Sequence, residues 1–162
     1  MQTPSVVMGI DPGLGRTGWG VIKAAGMDLA PVAFGCVTTP ANTEVGQRLV
    51  ELEKDLITLI EQHRPTVIAV EQLLFTNNIT TGIAVGAARG VVLLVAERSG
   101  IPVKEFTPTQ VKLGVTGYGK ADKGQVNEMV CRILKLAKPP TPDDAADALA
   151  IAICGSATQA NL

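Results

Sequence analysis

The stretch Val6-Val7-Met8-Gly9-Ile10-Asp11-Pro12-Gly13-Leu14-Gly15-Arg16-Thr17-Gly18-Trp19-Gly20-Val21-Ile22-Lys23 decides how this chain folds. It opens with a short apolar, partly β-branched run closed by an acid. Such a run reads as a strand over 5–11, buried on both faces. Gly13 to Gly18 then spells GxGxxG, the spacing of a dinucleotide-binding turn. That meaning requires a helix to open at the glycines, because the helix N-terminus holds the pyrophosphate. Residues Thr17 to Lys23 instead alternate and are poor helix formers, and Asp11 would stand where the phosphates belong. The glycines therefore read as a turn joining two antiparallel strands.

Downstream, 32–38 reads as a third strand, with Ala25-Gly26-Met27-Asp28 turning the chain before it. Leu49, Leu52, Leu56, Leu59 and Ile60 recur at helical spacing and predict a helix over about 43–63, ending before Pro65. Thr66 to Glu71 repeats the opening motif, an apolar run closed by an acid. A helix is expected from Asn77-Asn78 to Ser99-Gly100, with Gly82, Gly86 and Gly90 four apart on one face. That stripe suits either close packing on the sheet or contact with another helix. A fifth strand over 102–106, a short helix from Thr107-Pro108 and a helix over about 122–136 follow. A final helix comes after the break Lys138-Pro139-Pro140-Thr141-Pro142. The order βββαβαβαα predicts one α/β domain over 1–162. Its five-stranded mixed sheet should have three antiparallel leading strands and helices on both faces.

The acids carry the chemistry. Asp11 and Glu71 close buried strands, and an isolated buried charge is expensive, so each must be paired, neutral or metal-bound. In the last helix Thr141 is expected as the N-cap and Pro142 at the first helical position. Asp143 and Asp144 then fall in the first turn, where capping and the macrodipole account for such acids. Asp147 lies beyond that turn, in Ala145-Ala146-Asp147-Ala148-Leu149-Ala150-Ile151-Ala152-Ile153, and no charged residue follows it. A helix apolar all round is buried, so Asp147 needs a partner, and metal suits it best. Either Asp143 or Asp144 shares its face. No cluster of His or Cys offers a zinc site, and all-oxygen ligation points to Mg²⁺ or Mn²⁺.

At 162 residues and 3% aromatics, the chain is long enough for an aliphatic core without staples. Cys36, Cys131 and Cys154 are odd in number and lack CxxC spacing, which suits reduced thiols in a cytoplasmic protein. Neither a signal peptide nor a membrane span is expected, the best apolar candidate, Val91 to Ala96, being flanked by Arg89 and Glu97. A net charge of −1 weighs only slightly against a nucleic-acid partner. Divalent ions would neutralise the acids, and Lys104, Lys112, Lys120 and Lys123 cluster in one stretch.

Taken together, several motifs resemble the RuvC family of Holliday junction resolvases. They are Gly9-Ile10-Asp11-Pro12-Gly13 with Thr17-Gly18-Trp19-Gly20-Val21-Ile22, Ala69-Val70-Glu71-Gln72, Ala88-Arg89-Gly90, Gln110-Val111-Lys112, and Ala145-Ala146-Asp147-Ala148-Leu149-Ala150-Ile151-Ala152. The resemblance implies an RNase H-like fold and a homodimer that nicks four-way junction DNA in recombination and repair. It implies a partnership with the RuvA–RuvB branch-migration complex and two Mg²⁺ ions per site, with Mn²⁺ as a substitute. It also implies that Asp11, Glu71, Asp144 and Asp147 are catalytic and metal-binding, leaving Asp143 as a cap. Lys123 joins them beside the scissile phosphate, and Arg89, Lys112, Lys120 and Lys123 are expected near DNA. The family commonly has an aromatic three residues after the strand-four Glu, but here Leu74 stands there and Phe75 follows. Either could wedge between junction bases, or Leu73, Leu74 and Phe75 could pack beneath the helix. Three other readings compete: an actin-like ATPase domain, an RNase H-like nuclease for another branched DNA or RNA, and a nuclease-like binding module without activity, which retention of all four acids argues against. The first lacks a second phosphate loop, and the second differs only in substrate.

Overall fold

A computed structural model describes residues 3–73 and 78–157. Its elements are β1 (Ser5–Asp11), β2 (Arg16–Ala25), β3 (Asp28–Thr38), α1 (Val45–His63), β4 (Val67–Glu71), α2 (Ile79–Arg98), β5 (Val103–Phe106), α3 (Pro108–Thr116), α4 (Lys123–Leu134) and α5 (Asp143–Ala157). The sheet order is β3-β2-β1-β4-β5. β1 to β3 form an antiparallel meander, while β4 runs parallel to both β1 and β5. The expected mixed sheet is present, and GxGxxG is indeed the start of a strand rather than of a helix.

Alternation along the strands sorts the core into two layers. Met8, Ile10, Val21, Ile68 and Val70 face α1 and α2, where Leu52, Leu56, Ala88, Val92 and Val95 meet them. Val7, Ile22, Val67 and Ala69 face the other way, against α5 and the buried residues of α3 and α4. Asp11 and Glu71 keep the parity of Val7 and Ala69, so both acids point toward the α5 side. Because Ile10 pairs with Val70 in parallel register, the two acids end adjacent strands at the same edge.

Helix α5 lies directly on the strands because glycines admit it. A Cβ at Gly9 would stand 2.6 Å from the Ala152 backbone nitrogen and closer still to the Ala148 carbonyl oxygen. One at Gly18 would overlap the Asp144 carbonyl in the same way. Two capping boxes fix the helices opposite: Thr107 with Gln110 at α3, and Asp122 with Gln125 at α4.

Two expectations need correction. Helix α5 opens at Asp143, so Pro142 stands one position before the helix, its carbonyl accepting from Ala145 N–H at 3.0 Å. Helix α2, at 20 residues, is long and apolar enough to cross a membrane, contrary to the expectation that no segment reaches that length. The interruption at Arg89 hid this, because that arginine is tied to Glu105 of the neighbouring strand. One side of α2 packs on the sheet through Ala88, Val92, Val95 and Ala96. Its other side leaves Ile79, Ile83 and Leu94 exposed. Space beside Gly82 and Gly90 is open among the described residues, so these two glycines do not serve packing on the sheet.

Candidate active site

Three of the four acids singled out by their sequence setting line one cleft of about 260 Å³. Asp11 comes from the end of β1, Glu71 from the end of β4 and Asp147 from the second turn of α5. Pro108, Val111, Val126 and Ile151 make its apolar wall, and Lys112 and Lys123 stand at the acids. The convergence follows from the fold: two parallel strand ends present acids to one face, and the glycine-seated helix brings the third across them.

Electrostatics show how crowded the cleft is. Burial first, then repulsion from Asp147, Glu71 and Asp144, pushes the Asp11 carboxyl up to about 7. Glu71 is also raised, by burial and by Asp147, with Lys112 opposing. Asp147 is raised chiefly by burial, against the pull of Lys123. Burial lowers the Lys123 ammonium, but Asp147 and Asp143 outweigh it and hold the group above its ordinary value. These carboxylates share more negative charge than the nearby lysines offset.

Lys123, the first residue of α4, sits 3.3 Å from Asp143 Oδ2 and 3.4 Å from Asp147 Oδ2. Asp143 was expected to cap its helix; it is instead the first helical residue, exposed and ion-paired with Lys123. Asp144 does not line the cleft. Its Oδ2 lies 3.4 Å from Nε of Arg16, although its charge is felt at Asp11 and Asp147. Arg16 was not foreseen as a site residue. Its one signal was position, since a hairpin that follows an acid-closed strand returns its first residue to the acid's edge.

Among the described residues no three His, Cys, Asp or Glu side chains already stand in a metal-coordinating arrangement. The donor chemistry nonetheless fits a hard divalent cation. The acids are oxygen donors only, partly buried, mutually repelling and under-neutralised, and Mg²⁺ and Mn²⁺ favour such sets.

Of the remaining basic residues, Lys112 faces the cleft and Lys120 is exposed on the loop leading to α4. Arg89 is engaged by Glu105, and its Nε is buried without a partner among the described residues. Leu74 and Phe75 lie outside the described residues. Leu73, expected with them only in the packing alternative, lies near Gly86 of α2, where a Cβ would meet its side chain at 3.4 Å. Among the described residues no cysteine is in a disulfide; Cys154 is buried behind α3, and Cys36 lies beside Arg16.

Comparison with known proteins places this geometry. The sequence profile of a family described as "Crossover junction endodeoxyribonuclease RuvC" matches residues 7–155. A protein of that name from Rubrobacter xylanophilus is 52% identical over 153 residues, covering 94% of this chain and 86% of its own. Its counterpart from Heliobacterium modesticaldum is 50% identical over 149 residues, covering 92% of each. The fold also superposes on T. thermophilus RuvC in complex with Holliday junction substrate. The TM-score there is 0.91 and the identity 33%, over 96% of this chain and 95% of that one.

Proposed function

The chain belongs to the RuvC family of crossover junction endodeoxyribonucleases, and from that premise we propose that it resolves four-way DNA junctions by hydrolysing one phosphodiester in each of two opposed strands. The observation that carries this reading is the convergence of Asp11, Glu71 and Asp147 in one cleft beside Lys112 and Lys123. Asp11, Glu71, Asp144 and Asp147 would hold Mg²⁺ or Mn²⁺, two ions per site. The chemistry such ions would supply there is a lowered pKa for the attacking water and stabilisation of charge on the departing oxygen.

The chain's own residues do the rest. Lys123 spans Asp143 and Asp147 and is positioned to meet the scissile phosphate as a compact ammonium. Lys112 stands on the Glu71 side and grips the backbone farther along. Lys120, exposed on the loop before α4, extends the same basic edge. The wall of Pro108, Val111, Val126 and Ile151 limits water around the reacting group, which strengthens each electrostatic contact inside.

Homodimerisation belongs to the same reading. A four-way junction offers two symmetric strands, and a C2 pair presents two identical sites to them. The exposed face of α2, with Ile79, Ile83 and Leu94 beside open glycines, is the surface best suited to a second copy. Work beside the RuvA–RuvB complex on chromosomal junctions in the cytoplasm completes the assignment. Leu74 or Phe75 as a base wedge, and Arg89 as a DNA contact once freed from Glu105, are its peripheral parts.

The direct test is a cruciform plasmid incubated with the pure protein, with and without Mg²⁺. Paired nicks across the junction give linear product that requires the metal. No cleavage, or equal cleavage of plain duplex, would remove the assignment, and nicked circles alone would remove the paired dimer. Lys112→Ala is expected to weaken junction binding and to reduce the slope of log K against log salt by about 1, one phosphate contact being lost. A slope equal to the parent protein's would place Lys112 off the DNA.

A further inference from the structure

Asp144 is the odd member of the four acids. Its backbone is seated on the sheet: the Asp144 carbonyl lies against Gly18 so closely that no Cβ fits between them. Its side chain nevertheless stays out of the cleft and is held by Arg16. The backbone of Arg16 is anchored too. Thr17 Oγ1 donates to the Gly13 carbonyl at 2.7 Å and Thr39 N–H donates to the Gly15 carbonyl at 3.1 Å. Thr39 Oγ1 also donates to Leu14, while Arg48 Nε donates to Thr39 at 2.9 Å. Two backbones held by packing and hydrogen bonds thus carry two side chains that can change partner. The Arg16 side chain is 57% exposed, against 30% for Asp144, and a pair so open to water is weak enough to exchange.

We propose that Arg16 is a positioning residue that occupies Asp144 in the free protein and releases it when a DNA phosphate takes the guanidinium. The junction thereby completes the acid set that receives the metal. This rests on the nuclease reading above and deepens it, by adding a coupling between junction binding and metal affinity. Arg16 suits the exchange because a guanidinium fits carboxylate and phosphate equally well. The free enzyme then binds metal with an incomplete set of acids. Coupling of this kind is reciprocal, so metal should tighten junction binding by the same factor.

The test compares the parent protein with Arg16→Gln, which removes the charge at an exposed position. Mn²⁺ affinity is measured by titration calorimetry, with and without a junction whose scissile phosphates are replaced by uncleavable linkages. Melting curves check the fold. In the parent, the junction should raise Mn²⁺ affinity. In Arg16→Gln, affinity without DNA should rise by roughly 3–10-fold, as for a released coupling of about 1 kcal/mol. The gain on adding junction should shrink by a similar factor. A parent that binds Mn²⁺ and cleaves, beside a variant with the same affinity and the same junction gain, overturns the proposal and leaves the nuclease reading standing. A variant with higher affinity but an undiminished junction gain overturns the exchange, since simple charge removal then explains it. A parent that neither binds Mn²⁺ nor cleaves overturns both.

Discussion

Asp11→Asn is expected to abolish junction cleavage and, in the same molecule, to raise the melting temperature of the metal-free protein. The first effect follows from the position of Asp11 where β1 ends in the cleft that Glu71 and Asp147 also line. Loss of a group that merely supports a metal ligand commonly costs 10–100-fold, so loss of a ligand should cost on the order of 10³-fold or more. Binding to the junction should persist, because Lys112 and Lys123 are untouched.

The second effect follows from the sign of the shift. The Asp11 carboxyl rises from 3.8 to about 7 on folding. Between those values the folded state holds a proton that the unfolded state has lost, so stability is full below about 4 and falls as pH rises toward 7. At neutral pH the penalty is on the order of a few kcal/mol, and an amide, which carries no charge, escapes it. For a chain of this size that corresponds to a gain of roughly 5–10 °C. The difference between variant and parent should vanish near pH 4, where both are neutral. Adding Mg²⁺ should stabilise the parent more than the variant, since a ligand bound only by the folded state adds to its stability. Scanning calorimetry from pH 4 to 8 reads all of this. A variant that melts with the parent at pH 7.5, or that still cleaves at the parent's rate, would show that Asp11 is not the strained centre of the site.

Much of this was legible in the residues. Two apolar runs closed by acids, Asp11 and Glu71, gave two buried strands with an acid at the end of each, and only the fold showed that these strands pair in parallel. Asp147 announced itself as a charge on an otherwise apolar helix. What escaped notice depended on contacts that spacing does not encode. Arg16 looked like a turn residue, because nothing in GLGRTG reveals that α5 will bring Asp144 alongside it. Asp143 looked like a cap, because its salt bridge comes from Lys123, twenty residues upstream and on another helix. The ends of α2 were foreseen, but the length of its apolar stretch was underestimated at Arg89, whose partner Glu105 sits on a strand outside the helix. In each case a tertiary partner changed the meaning of a local pattern.

The same dependence of the site on packing sets the second large effect. Gly9→Ala and Gly18→Ala each add one methyl group, and both are expected to be among the most damaging substitutions in the chain. At Gly9 the new Cβ would meet the backbone of α5 at Ala148 and Ala152, and at Gly18 the backbone of Asp144. Backbone cannot rotate away as a side chain can, so the helix must lift from the sheet. Overpacking ordinarily costs about 1–3 kcal/mol; contact with a helix backbone belongs at or above the top of that range, a fall of roughly 10 °C in melting temperature. Gly15→Ala is the contrasting case: its Cβ would meet only the far end of Arg48 at 3.4 Å, so stability should change by less than about 0.5 kcal/mol. Position along the helix separates the two damaging variants further. Gly18→Ala displaces Asp144 itself, so cleavage should fall even at temperatures where the protein is still folded. Gly9→Ala lifts the helix one turn beyond Asp147 and should cost more in stability than its effect on Asp144 would suggest. Melting curves for all three variants, with cleavage assayed well below each transition, measure whether the seat of α5 on Gly9 and Gly18 holds the acids together. Gly9→Ala and Gly18→Ala proteins as stable and as active as the Gly15→Ala control would mean that the helix does not rest on the strands there, and that the acids converge for some other reason.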